Sequence, residues 1–183
     1  WGNSNLTQTG ISQAKLLGEA LKHVEFTKVY SSSLGRAVET TENIIQNRNL
    51  EIELNPNFKE MGFGVWEGQY PEDLKNNYNE QYTNFWNFAH NYVPVDGESF
   101  EDVSQRIKKG LDDIVNSHYK KDDNILLVTH GMIIQILLLH IRDLPLDKLW
   151  ERPVVNSSSL TIVQIDKDLN MKVLLEDSID HLK

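Results

Sequence analysis

The sequence predicts an α/β fold of three layers, with helices on both sides of a mainly parallel sheet. Segments with the patterns of helices and strands alternate along the chain, which is typical of parallel strands joined by helical crossovers. Residues 125–129 form an apolar run of the kind that is buried on both faces of a sheet, and the apolar run 132–139 is long enough for a helix. The length of 183 residues, without repeats or linkers, predicts a single domain over residues 1–183.

Local signals define the elements of the first half of the chain. Thr7 can cap a first helix that carries apolar residues at helical spacing. Short strands are expected at residues 29–30 and 51–54. Between them, Ser33 is the expected cap of a second helix that runs to about Gln46.

Aromatic residues dominate the middle of the chain. Eight of them lie between Trp66 and Tyr92, and we interpret them as the core of short helices that pack into a lobe. Pro94 and Gly97 interrupt the pattern after the last aromatic residue. We therefore expect an inserted lobe at residues 66–97, over the candidate site.

A long helix and a hairpin complete the predicted fold. Ser99 and Asp102 have the spacing of a capping box, and a stripe of apolar residues follows them at helical spacing. Strands near residues 160–165 and 171–175 predict a hairpin, although the turn at residues 166–168 contains no glycine.

The composition argues against several classes of partner. The net charge is −9 and the chain has no block of Lys or Arg, which argues against binding to nucleic acid or to an anionic membrane. The chain contains no Cys and no visible cluster of metal ligands, so we expect neither a metal nor a cofactor. No apolar stretch approaches the ~20 residues of a membrane span. We expect a cytoplasmic protein that acts on a small molecule and that can form a homodimer.

Two junctions between a strand and a helix carry a cation. His130 follows the apolar strand and precedes Gly131, at the sheet edge where ligands bind in α/β folds and where helix N–H groups attract anions. The alternative is a core histidine with both ring nitrogens hydrogen-bonded. Arg36 lies in the first turn of its helix, where the helix dipole disfavours a positive charge unless an anion offsets it. The alternative for Arg36 is a surface ion pair with Glu39 or Glu42.

Glu60 is a candidate proton donor. It opens a loop that has three glycines within residues 62–68, in a stretch, 58–70, that we expect to be irregular. A carboxyl group near aromatic residues can have a raised pKa and can then donate a proton at neutral pH. The alternative is an ordinary exposed acid on a loop.

Five segments of the chain follow one another in a specific order. They are residues 1–10 with Gln13 and Ala14, residues 30–37 with Thr40, residues 60–68, residues 96–99 and residues 128–131. In this order they resemble the histidine phosphatase superfamily, also called the phosphoglycerate mutase-like family, and the resemblance covers nearly the whole chain. It implies that His130 stabilises the transferring phosphoryl group, together with Gly131, that Arg36 binds the phosphate, and that Glu60 protonates the leaving oxygen.

The resemblance also implies a second histidine, which is the nucleophile. In the family it lies in an Arg-His-Gly motif after the first strand, becomes phosphorylated, and passes the phosphoryl group to water or another acceptor. The chain begins at Trp1 and contains no such motif, so we expect the motif and its central strand to lie upstream in a longer natural protein. The 183-residue polypeptide by itself is therefore expected to form no phosphohistidine and to be inactive.

Three functions remain open on the sequence alone. The first is a phosphatase for small phosphate monoesters, the second is a phosphoglycerate mutase, and the third is a catalytically inactive module that binds a phosphorylated ligand. Between Met61 and Gln105, Lys75 is the only Lys or Arg, against eight acids, which favours hydrolysis over a mutase that must retain a doubly anionic substrate. Aromatic residues over the pocket would suit a substrate with an apolar or planar leaving group.

Overall fold

The computed structural model describes residues 2, 4–118 and 123–183. Its helices are α1 Gln8–Ala20, α2 Gly35–Ile45, α3 Pro71–Asn77, α4 Asn79–Asn87, α5 Phe100–His118 and α6 Gly131–Ile141, and its strands are β1 Lys28–Ser31, β2 Ile52–Leu54, β3 Ile125–Val128, β4 Leu160–Ile165 and β5 Met171–Ser178. Short 3-10 turns at Pro56–Phe58 and Gly64–Trp66 lie in the segment predicted to be irregular. Within the described ranges, no helix has the length and apolar character needed to cross a bilayer.

The main sheet has three parallel strands in the order β2-β1-β3. In this register Ser31 at the end of β1 lies beside Val128 at the end of β3. Strands β4 and β5 form a separate antiparallel sheet of two strands. Because the strands of the main sheet are parallel, the residues that follow β1 and β3 meet at one edge.

Helices cover both faces of the main sheet. One face packs against α1 and α2 through a cluster that includes Val29, Leu126 and Val128. The opposite face packs against α5 and α6 through a larger cluster that includes Tyr30 and Leu127. These two cores confirm the predicted α/β class with a parallel sheet between helical layers.

The helix starts agree with the sequence signals at two of three positions. The Thr7 hydroxyl accepts the N–H of Gly10 at 3.1 Å, as predicted for the cap of α1. Ser99 and Asp102 exchange side-chain and backbone hydrogen bonds at the start of α5, which is the predicted capping box. The prediction for Ser33 is wrong: α2 begins at Gly35, with Leu34 as the extended capping residue. Ser33 precedes that capping residue, so its hydroxyl stands one position too early to cap the helix.

Aromatic side chains build the segment between residues 66 and 97. Trp66 packs against Tyr92 with ring centroids 5.3 Å apart, and Phe85 packs against Phe100 of α5 at 5.0 Å. The two ends of the segment lie together, because the N–H of Val65 donates to the carbonyl of Val95 at 3.1 Å. The two ends of the segment are thus adjacent, and its position as an inserted lobe over the site stays a prediction.

The hairpin between β4 and β5 closes without a glycine. The Asp166 carboxylate accepts the N–H groups of Asp168 and Asn170 at 2.8 and 2.9 Å. Leu169 adopts a left-handed conformation with φ of 64°, which is a position that favours glycine. The turn is therefore stabilised by an aspartate side chain and retains a strained leucine.

Candidate active site

Two strand-to-helix junctions lie side by side at the carboxyl edge of the main sheet. The N–H of Ser32, just after β1, donates to the carbonyl of Val128 at 2.8 Å. His130 is the extended capping residue of α6, with φ −120° and ψ 164°, and Gly131 is the first residue of that helix. Arg36 is the second residue of α2. Both helices thus begin at the edge where the parallel strands end.

His130 is buried at this edge, with 8% of its surface exposed. Its Nε2 atom lies 2.7 Å from the Oγ of Ser32. Burial, followed by the positive charges of Arg36 and Arg106, lowers the pKa of His130 to about 3. The ring is therefore neutral at neutral pH, chiefly because it is buried, and a bound anion would offset the smaller contribution of the two charges.

Arg36 faces the same region. Its Nη1 donates to the carbonyl of Gly2 at 2.9 Å, and its charge lowers the pKa values of both His130 and Glu60. In the described residues no ion pair joins Arg36 to Glu39 or Glu42. The charge of Arg36 therefore acts on His130 and Glu60, and within the described residues no ion pair along its own helix offsets it.

Glu60 reaches the start of α6 from a different part of the chain. Its carboxylate accepts the N–H of Met61 at 2.9 Å and lies within hydrogen-bonding range of the N–H of Met132, the second residue of α6. Burial raises the pKa of Glu60 above its usual value, although Arg36 and Arg106 act in the opposite direction. The Glu60 carboxyl group therefore holds its proton more tightly than an exposed glutamate does, which is the direction that a proton donor requires.

Gly131 borders the site at the first turn of α6. A Cβ atom placed on Gly131 would meet the Val155 side chain at 3.6 Å, an ordinary van der Waals distance. The protein itself therefore does not require glycine here. Its part in binding phosphate stays a prediction.

Ser32, Arg106 and Glu98 belong to this site region and were not singled out as functional by the sequence. Ser32 bonds the ring of His130. Arg106 donates to the carbonyl of Glu60 at 3.1 Å and forms a buried ion pair with Glu98. Ser32 and Glu98 stand in the segments 30–37 and 96–99 that carried the family resemblance, which was the available signal for both. Arg106 binds mostly backbone carbonyl groups. Every residue has a carbonyl group, so the sequence does not indicate which ones an arginine will bind.

A cavity lies beside the Glu60 loop. It is lined by Gly62, Gly64, Glu67, Asp96, Gly97 and Glu98. A second depression lies between α1 and α2, around Gly18 and Ile44, on a part of the molecule that holds none of the candidate residues. None of the candidate residues Arg36, Glu60, His130 and Gly131 lines either depression, so neither depression is the sheet-edge site itself.

The sequence matches the family model described as the histidine phosphatase superfamily (branch 1) over residues 1–178. The chain belongs to this superfamily. The match confirms the family that the order of motifs indicated.

Relatives within the histidine phosphatase superfamily include phosphatases and mutases. The chain is 32% identical over 145 residues to adenosylcobalamin/alpha-ribazole phosphatase of Escherichia coli, covering 79% of this chain and 70% of that protein. It is 26% identical to a phosphoglycerate mutase of Schizosaccharomyces pombe, covering 92% of this chain and 82% of the mutase. The solved structure of YhfR from Bacillus stearothermophilus superimposes with a TM-score of 0.94 at 33% identity, covering 100% of this chain and 89% of that chain. These similarities support a phosphatase of the histidine type.

Proposed function

We propose that the protein is a phosphatase that hydrolyses small phosphate monoesters through a phosphohistidine intermediate. The observation that supports this proposal is the position of Arg36 and His130 at the N-terminal ends of α2 and α6, where the charge of Arg36 acts on the pKa values of both His130 and Glu60. Two helix N-termini, a guanidinium and an imidazole make an environment suited to a dianionic phosphoryl group. A carboxyl group with a raised pKa beside them is the proton donor that an alkoxide leaving group needs.

Each residue has a distinct role in this mechanism. Arg36 binds two oxygens of the phosphoryl group with its planar set of N–H donors. His130 and the N–H of Gly131 stabilise the charge that develops on the phosphoryl oxygens. In the first step a bond forms from the nucleophilic nitrogen to phosphorus, the bond from phosphorus to the ester oxygen breaks, and the proton of Glu60 passes to that oxygen. In the second step Glu60 takes a proton from water, whose oxygen bonds to phosphorus as the bond to nitrogen breaks.

The proposed nucleophile is a histidine other than the six in this chain. Three other histidines bind groups away from the site: His118 contacts Asp123, His140 contacts Ser104, and His181 contacts the carbonyl of Ser158. His23 and His90 are exposed. We therefore propose that the nucleophilic histidine lies upstream of Trp1, in the Arg-His-Gly motif that the family resemblance implies. The strand that carries it would add to β3, which pairs on one side only within the described residues.

A phosphoglycerate mutase is the second candidate, because mutases occur among the relatives. The segment from Met61 to Gln105 offers Lys75 alone as a Lys or Arg against eight acids, which favours release of the phosphoryl group to water over retention of a doubly charged substrate. The aromatic residues of the 66–97 segment suit a planar or apolar leaving group.

Steady-state kinetics test the proposal on the protein that carries the upstream histidine. We expect a higher kcat/KM for an aryl phosphate than for 3-phosphoglycerate, formation of inorganic phosphate, and a labelled phosphohistidine after acid-free quenching. Activity should persist in a chelator, since we propose a metal-independent reaction. A preference for 3-phosphoglycerate with formation of 2-phosphoglycerate would establish the mutase. An upstream segment without the histidine, together with phosphate binding but no turnover, would establish the inactive binding module.

A further inference from the structure

Arg106 on α5 donates its N–H groups to the backbone around Glu60. Its Nη1 donates to the carbonyls of Asn57 and Lys59 at 2.7 and 2.8 Å, and its Nη2 donates to the carbonyl of Glu60 at 3.1 Å. Its Nε and Nη2 donate to the two carboxylate oxygens of Glu98 at 2.7 and 2.9 Å. A guanidinium has five N–H donors, so these bonds occupy the whole group.

Glu98 holds the backbone on the other side of Glu60. Its Oε2 accepts the N–H of Gly62 at 2.8 Å, and its own N–H donates to the carbonyl of Gly62 at 2.8 Å. The Arg106 and Glu98 side chains are only 16% and 20% exposed, so water competes little for these bonds. The backbone is thus bound both before and after the Glu60 side chain.

Close backbone packing makes this arrangement rigid. A Cβ atom on Gly97 would lie 2.7 Å from the carbonyl oxygen of Gly62, and one on Gly64 would lie 2.2 Å from the carbonyl oxygen of Val95. Gly64 also has a positive φ of 57°, which a side chain would strain. Residues 62–64 and 95–97 therefore run backbone against backbone, and the Glu60 loop has little freedom to shift.

A second Arg–Glu pair shows what a purely structural ion pair looks like in this protein. Arg142 at the end of α6 contacts Glu176 of β5, and the two side chains are 22% and 28% exposed. This pair has similar burial but joins a helix end to the separate hairpin, away from Glu60. Arg142 is therefore a matched reference for Arg106.

We infer that Arg106 and Glu98 are positioning residues, which hold the Glu60 carboxyl where it protonates the leaving oxygen. The inference rests on the proposed function, in which Glu60 is the acid. In that step the nitrogen–phosphorus bond forms, the phosphorus–oxygen bond breaks with its electron pair on oxygen, and the Glu60 proton goes to that oxygen. Neither Arg106 nor Glu98 touches the substrate, so their removal should affect proton transfer more than phosphate binding.

The rate of the first step, the formation of phosphohistidine in a single turnover, separates positioning from structural support. A nitrophenolate leaves without a proton, whereas an alkoxide requires one. We expect Glu60→Gln to slow this first step for an alkyl phosphate by about 10²–10⁴-fold and to spare the first step for 4-nitrophenyl phosphate. Arg106→Lys keeps the charge but loses the planar set of donors, and Glu98→Gln keeps an acceptor for the Gly62 N–H. Both should slow the first step for the alkyl phosphate by about 10²-fold, with substrate affinity and the first step for the aryl phosphate nearly unchanged. Arg142→Lys should leave both activities unchanged.

The double variant Glu60→Gln/Arg106→Lys gives the decisive comparison. We expect it to be no slower on the alkyl phosphate than Glu60→Gln alone, because Arg106 acts through Glu60. Equal losses on both substrates in Arg106→Lys and Glu98→Gln, with a selective loss in Glu60→Gln, would overturn the positioning role and leave the proposed function intact. No leaving-group dependence in Glu60→Gln would instead remove Glu60 as the acid, and the positioning role with it. Activity on 4-nitrophenyl phosphate shows in the same assay that each variant is folded.

Discussion

The Nε2 atom of His130 lies 2.7 Å from the Oγ atom of Ser32, although the two residues are 98 positions apart in the chain. Ser32 is fully buried and follows β1, whereas His130 follows β3. Their bond joins the two junctions where the parallel strands end and the helices begin. It orients the imidazole toward the edge where Arg36 and Glu60 also lie.

Phosphate should raise the pKa of His130. In the free protein, burial and the charges of Arg36 and Arg106 lower this pKa to about 3. A bound oxyanion offsets both charges and favours the imidazolium. Nitrogen NMR of the ring at mildly acidic pH, with and without inorganic phosphate, measures the change, and the exposed ring of His23 is the control. A ring that stays equally neutral at saturating phosphate would show that the anion binds elsewhere.

Removing the guanidinium of Arg36 or the imidazole of His130 should slow the chemical step. We expect Arg36→Ala and His130→Ala each to lower kcat by about 10²–10³-fold, as for other preorganised groups that stabilise transition-state charge. Arg48, which donates to the carbonyls of Leu21 and Val24, is a structural arginine remote from the site. Arg48→Lys should therefore retain normal turnover. Turnover near that of the native protein in either site variant would remove that residue from the mechanism.

Replacing Glu60 with glutamine should stabilise the fold at neutral pH. Burial raises the pKa of Glu60 above 4.5 in the folded protein, so the folded state holds this proton more tightly than the unfolded state. The free energy of unfolding therefore falls as the pH rises through the folded-state pKa. Glu60→Gln removes this loss of folding stability. The stability gained by the substitution should vanish when the pH falls below the unfolded-state pKa of Glu60. Urea unfolding at neutral and acidic pH measures it, with Glu101→Gln on the exposed face of α5 as control. A less stable Glu60→Gln at neutral pH would contradict the raised pKa.

The strained turn between β4 and β5 should accept glycine with a gain in stability. Leu169 has φ of 64°, and 42% of its surface is exposed, so little packing is lost on its removal. We expect Leu169→Gly to raise the free energy of unfolding by roughly 1 kcal/mol, the cost of a left-handed conformation for a residue with a Cβ atom. Leu169→Ala keeps that atom and should show no such gain in the same thermal melt.

The sequence predicted those parts of the fold that depend on neighbours in the chain. The capping box at Ser99 and Asp102 lies within a single turn, and the apolar run of β3 records burial on both faces of a sheet. Arg36, Glu60 and His130 were predicted as site residues because each stands at a distinctive local position, in a first helical turn, in a glycine-rich loop and after a buried strand. The shared sheet edge of Arg36 and His130 follows from the parallel register of β1 and β3.

Residues whose function depends on distant backbone could not be found in the same way. Arg106 binds carbonyls 46 to 49 positions earlier in the chain, and a carbonyl group is the same at every residue. Ser32 was quoted within a motif, but its bond to His130 depends on which strand is the neighbour of β1. Capping residues are recognised in a sequence by their residue type, and Ser33 was predicted as the cap of α2 for that reason. In the structure one further extended residue, Leu34, precedes the helix, so the helix begins later than predicted.

The backbone contact between residues 62–64 and 95–97 has a consequence for how such a protein can change during evolution. The far end of the aromatic segment and the loop of the acid share hydrogen bonds at Gly62 and Glu98. A substitution near Val95 that adapts the segment to a new substrate would therefore also displace Glu60, the proposed proton donor. We expect specificity and leaving-group reactivity to be inherited together, so that variants selected for one trait also differ in the other.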